Sequence, residues 1–123
     1  MNIWLTVAAI NGALAVAFGA FAAHGLRGRL DPHALELFET GARYHMYHAL
    51  AMGLSALALR GAARGPAQVS AILFLAGIVL FSGSLYLLAV TGFRPVAMVT
   101  PVGGLCFLAG WVVLAYAGTR LAS

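Results

Sequence analysis

The sequence contains no lysine, one cysteine and only three acidic residues, Asp31, Glu36 and Glu39. Charged residues make up 8% of its 123 positions, against 63% hydrophobic ones. That excludes an ordinary soluble domain, which needs a polar surface these residues cannot supply. A lone cysteine, Cys106, excludes an intramolecular disulfide and a cysteine-based metal cluster. It lies in an apolar run and reads as a small buried apolar residue. No acid lies inside an apolar run, and Glu36 and Glu39 are expected on a solvated face, which counts against a zinc enzyme. There is no H-E-x-x-H zinc motif and no Ser-His-Asp or Cys-His arrangement within an apolar segment. The net charge of +4 comes from seven scattered arginines without a basic stripe, so nucleic acid is not the expected partner. Anionic lipid headgroups are the expected counter-charge.

What is present is long uncharged stretches. Residues 1–26 hold no arginine or acid. Sixteen uncharged residues separate Arg43 from Arg60, twenty-nine separate Arg64 from Arg94, and twenty-five separate Arg94 from Arg120. A membrane-crossing helix needs about 20 mostly apolar residues. Spans are therefore predicted at about 3–23, 41–60, 68–91 and 96–118, within one transmembrane domain covering 1–123. None shows the alternation of a barrel strand. AFAA at 20–23 could pass for a signal-peptidase site, but no basic segment precedes it and Asn11-Gly12 interrupts the apolar core. The first stretch is expected to remain as a helix.

The longest connection, 24–40, opens with turn chemistry. Gly25 and Gly28 break the first helix, Asp31 suits an N-cap and Pro32 the first helical position. From there the sequence is amphipathic, with Leu35, Phe38 and Ala42 on one stripe and Glu36, Glu39 and Arg43 off it. These turns are expected either to lie on the membrane surface and bend at Gly41, or to project from the membrane. The other loops are short, which makes consecutive spans antiparallel. The expected fold is all-α: a four-helix antiparallel transmembrane bundle with an amphipathic segment between helices one and two. Both termini should share a side. The acid-free loop 60–66 favours the cytoplasm for that side, and a bacterial plasma membrane is the expected location.

Polar residues gather toward one membrane side: His24, His33, His45 and His48, then Ser82, Ser84, Tyr86 and Thr91, then Thr100. At 100° per residue, Gly41, Tyr44, His45, His48, Met52 and Ser55 share an arc of about 100°. Lipid solvates imidazole poorly, so this stripe should face inward. Arg43 and Tyr47 should sit at the membrane rim. Small residues also line one face of each remaining helix: Ala8, Gly12, Ala15, Gly19 and Ala22; Ser70, Gly77, Ser84 and Thr91; Gly103, Gly110 and Ala117. Such faces let helices approach closely in lipid.

The segments GAFAAHGL (19–26), YHMYHAL (44–50), FSGSLYLL (81–88), TPVGG (100–104) and GW (110–111) occur in an order that resembles the family called domain of unknown function 423. That family takes in a eukaryotic group named transmembrane protein 256-like. The resemblance covers nearly the whole chain and implies a small multi-span membrane protein without an assigned reaction. At the position of His45 the family commonly carries glutamine, which leaves His24 and His48 as the stronger functional candidates.

Three functions fit these residues. The favoured one is a non-enzymatic bundle: a scaffold, an accessory subunit of a larger membrane complex, a homo-oligomer, or a lipid-interacting element. In it His48 hydrogen-bonds across the bundle, to Ser84 or Thr100 for example. The second is a ligand site lined by His24, Tyr44, His45, His48, Ser84 and Thr100. It would hold a small amphiphile, or a haem or metal with His24 and His48 as ligands. The third is an oligomeric channel or transporter. No cofactor is expected under the favoured reading.

Overall fold

In the computed structural model, which describes residues 1–122, the chain is all-helical. Among the described residues four helices follow one another: α1 (Ile3–Leu26), α2 (Pro32–Leu57), α3 (Gly61–Thr91) and α4 (Arg94–Arg120). Of these, α1, α3 and α4 are long and apolar enough to cross a membrane. In α2, by contrast, Glu36, Glu39 and Arg43 leave only residues 44–57 uncharged. That stretch is about 21 Å long at 1.5 Å per residue, against a hydrocarbon core of about 30 Å. It is nevertheless well sheltered, burying ten residues from Phe38 to Ala56.

Local chemistry sets the helix ends. The Asn2 side chain caps α1 by accepting from the Leu5 N–H at 3.1 Å. Asp31 caps α2 by accepting from the Ala34 N–H at 2.8 Å, with Pro32 in the first turn. Gly92 ends α3 in the left-handed region, at φ 69°, where a Cβ would be strained. Two π-helical turns interrupt the α-helical ladder, Ala22–Leu26 at the end of α1 and Ile78–Ser82 in the middle of α3.

The helix is not broken at Gly41. Residues 32–40 are the first turns of one continuous helix, held down by Phe38, which is buried in a cluster with Ala22, Leu26 and Ala89. Gly41 is a point of close approach instead: a Cβ there would lie 3.0 Å from the Tyr86 ring and 3.3 Å from the Leu85 Cβ. Two helices, α1 and α3, pack on α2, and α4 packs on α3.

The interior is small and polar where the exterior is large and apolar. Buried polar groups are Asn11, His45, His48, Ser55, Ser70, Ser82 and Ser84, while Leu50, Leu54, Val79, Leu105, Leu108 and Val112 are exposed. This is the arrangement lipid favours. Most of the predicted small-residue contacts are found. Gly103, Gly110 and Ala117 are buried in α4, and Ser70, Gly77 and Ser84 in α3. Thr91 is exposed, and in α1 the contact runs through Ala8, Ala15 and Ala22 while Gly12 and Gly19 face open space.

Candidate functional site

Two hydrogen-bonded chains cross the interior, each centred on a histidine of α2. In the first, the His45 Nε2 lies 3.0 Å from the Asn11 Oδ1 and its Nδ1 lies 3.0 Å from the Tyr86 hydroxyl. The Asn11 amide N–H₂ donates to the Val7 carbonyl at 2.9 Å, which fixes its oxygen toward His45. An amide oxygen only accepts, so Nε2 carries the proton and Nδ1 accepts from Tyr86. Neutral His45 thus ties α1, α2 and α3 together, with both of its ring nitrogens paired. Phe18 and Phe38 pack their rings at 4.8 and 4.7 Å from that of Tyr86 and shield the chain.

In the second, the His48 Nδ1 lies 2.7 Å from the Tyr44 carbonyl, one turn back on its own helix, and therefore donates. Its Nε2 accepts from the Trp111 indole N–H at 3.1 Å, on α4. The imidazole also lies flat on Phe107, with ring centroids 3.5 Å apart and planes 7° from parallel. His45 and His48 therefore hold opposite neutral tautomers, each imposed by its partners. All four of their ring nitrogens are engaged.

The sequence-predicted site residues do not converge. His24 is exposed in the π-helical turn at the end of α1. Asn11 meets His45 while Phe21 meets Phe38, so α1 ascends as α2 descends. His24 is thirteen residues beyond Asn11 and His48 is three residues beyond His45 in the other direction, a separation of roughly 24 Å along the helix axes. The expectation that they share a level took the membrane span to begin at Gly41; α2 runs on unbroken from Pro32, which puts His48 sixteen residues into the helix. His48 binds neither Ser84 nor Thr100. Instead the Ser84 hydroxyl donates to the Phe81 carbonyl at 2.8 Å, and Thr100 lies 2.5 Å from Ser84, joining α3 to the start of α4. Tyr44 is 37% exposed rather than interior. No group of three or more His, Cys, Asp or Glu is placed to hold a metal among the described residues.

Tyr44 instead forms one wall of a groove of about 420 Å³ between α2, α3 and α4. Tyr47, Phe81, Leu108 and Trp111 supply most of the rest, with His48 and Phe107 as the floor. Tyr47 is 49% exposed, and its ring packs edge-on to Tyr44 with centroids 5.5 Å apart. The groove is lined mainly by aromatic rings.

The sequence reading missed Asn11, Tyr86 and Trp111 as partners. Asn11 carried a signal, because a lone carboxamide in an apolar span needs a polar neighbour. Tyr86 and Trp111 carried none beyond their polar atoms, since nothing in a sequence states which helix faces which.

A glutamine amide carries a donor group and an acceptor group, and so can replace the N–H and the lone pair that neutral His45 uses. His45→Gln is therefore expected to keep thermal stability within about 1 kcal/mol, whereas His45→Leu strands both Asn11 and Tyr86 and should cost about 2 kcal/mol. Thermal unfolding in mild detergent separates the two, and equal losses would mean that shape, not hydrogen bonding, decides this position.

A search among known proteins gives a consistent result. The family described as "Protein of unknown function (DUF423)" matches residues 18–104. The UPF0382 membrane protein YwdK of Bacillus subtilis is 42% identical over 98% of each chain. A UPF0382 membrane protein of Haemophilus influenzae is 47% identical over 94% of this chain and 92% of its own. The UPF0382 inner membrane protein YgdD of Escherichia coli is 41% identical over 95% of this chain and 89% of its own. No solved structure matches.

Proposed function

Because this chain belongs to the DUF423 family and its relatives are membrane proteins, we propose that it is a non-enzymatic, lipid-interacting four-helix antiparallel transmembrane bundle. In this reading it forms one domain of a bacterial plasma membrane, with both termini on the cytoplasmic side, and works as a structural or accessory element beside larger membrane partners or further copies of itself. The observation that carries the proposal is the engagement of every ring nitrogen of His45 and His48. A metal ligand, a haem axial ligand and a general base each need a free imidazole lone pair. In both residues the one lone pair of the neutral ring already accepts a hydrogen bond. These histidines act as fasteners between helices.

A second reading, binding of a small amphiphile, is favoured by the aromatic groove. Its walls suit an acyl or isoprenoid chain, and Tyr44 and Tyr47 suit the headgroup boundary. Both readings are tested on purified protein in mild detergent. The expected preparation is colourless, holds no stoichiometric metal, and retains lipid in native mass spectrometry. A Soret band or about one metal equivalent per chain overturns the fastener reading. For the groove, brominated-acyl lipid should quench Trp111 fluorescence in a Trp4→Phe background, and unquenched emission rules out a chain lying there.

A further inference from the structure

We propose that the crevice between the α2–α3 turn and the end of α4 is a binding site for a phosphate group, supplied by the headgroup of an anionic lipid. The site deepens the lipid-interacting reading above and rests on it. The crevice has a volume of about 320 Å³ and is lined by Arg60, Gly61, Ala62, Arg120, Leu121 and Ala122. Arg60 in the α2–α3 turn and Arg120 at the end of α4 thus border one cavity with two guanidinium groups, and no Asp or Glu lines it among the described residues. Like charges brought together repel unless an anion sits between them. At a membrane surface the abundant anion is the lipid phosphate, and basic pockets between transmembrane helices take such headgroups.

The distribution of charge supports this choice. Asp31, Glu36 and Glu39 all belong to the start of α2, the other end of the helix from Arg60. Arg64, the next basic residue, does not line the crevice; one Nη donates to the Leu59 carbonyl at 3.3 Å. That leaves Arg60 and Arg120 as the pair facing the crevice. Guanidinium groups suit the task, because their planar fork can hold two phosphate oxygens at once. The backbone leaves room as well: Gly61 adopts φ 50° and a Cβ there would meet nothing within 4 Å.

The test uses the full chain in nanodiscs of phosphatidylcholine containing a minor fraction of phosphatidylglycerol, followed by native mass spectrometry. Wild type should retain phosphatidylglycerol about 30-fold over phosphatidylcholine relative to the bulk ratio. R60Q/R120Q should lose that preference while keeping its thermal midpoint, since both side chains are exposed. R60K/R120K should keep part of it. A parallel arm adds inorganic phosphate to detergent-solubilised protein. If phosphate alone raises the thermal midpoint as much as phosphatidylglycerol does, and R60Q/R120Q abolishes the rise, the crevice binds phosphate but from a soluble source. Equal retention of the two lipids by wild type, or a preference unchanged in R60Q/R120Q, overturns the site. Loss of all lipid from wild type would instead count against the lipid-interacting bundle itself.

Discussion

Gly103→Ala is expected to destabilise the protein by about 3 kcal/mol, the upper end of what overpacking costs in a close-packed interior. A Cβ at Gly103 would collide with the backbone nitrogen of Phe81 and sit 2.8 Å from the carbonyl carbon of Leu80. Both belong to the π-helical turn of α3, so no rotamer change can relieve the clash. Other glycines provide the controls. At Gly110 and Gly77 the obstruction comes mainly from the rings of Phe74 and Phe107, which can turn to some degree, so their alanine variants should lose less. At Gly118 nothing lies within 4 Å. Gly118→Ala should be neutral or raise stability by up to about 1 kcal/mol, since alanine is the better helix former. The measurement is unfolding of the four variants in one detergent. If Gly103→Ala falls no further than Gly118→Ala, α3 and α4 do not cross at the π-helical turn.

The extent to which this arrangement was legible in the sequence depends on the kind of information each feature carries. Membrane residence was legible because it follows from the spacing of Arg43, Arg60, Arg64, Arg94 and Arg120. The start of α2 was legible from Asp31-Pro32, and the structure confirms both the cap and the first-turn proline. The role of Gly41 was not. Glycine in a helix can break it or let a neighbour close in, and only the presence of Tyr86 selects the second. The π-helical turns were equally hidden. Their ladder shift depends on what packs across it, here Gly103 against residues 80 and 81.

Phase arguments succeeded for the middle of the α2 stripe and failed at its edge. Gly41, His45, His48, Met52 and Ser55 are buried as the 100° rule requires. Tyr44 lies at the limit of that arc and turns outward into the aromatic groove. A helical wheel gives direction but not the width of the neighbour that covers it. Register between helices was the larger loss. The expectation of one level for His24 and His48 starts the span at Gly41, whereas α2 runs on unbroken from Pro32. One contact, Asn11 with His45, sets the true register. Ser82 marks a feature neither level explains: its buried hydroxyl has no partner among the described residues.

His48→Ala is the substitution that bears most directly on function, and its expected cost is about 3 kcal/mol. Two contributions add. Removing the imidazole strips the Phe107 ring of the face it stacks on at 3.5 Å, leaving a void of roughly ring size. It also leaves the Trp111 N–H without an acceptor between apolar walls. His48→Phe separates these terms, because it restores a flat ring on Phe107 and leaves only the indole unpaired. It should cost about 1 kcal/mol, in line with interhelical hydrogen bonds measured in lipid. Trp111→Phe removes the donor from the other side, and the double variant His48→Phe/Trp111→Phe should cost less than the sum of the two single changes by a similar amount. Strict additivity would mean that the hydrogen bond between α2 and α4 contributes nothing to stability. A sharper outcome is also available. If His48→Ala unfolds at the wild-type midpoint, this buried imidazole is not a fastener, and the case for a purely structural histidine falls with it.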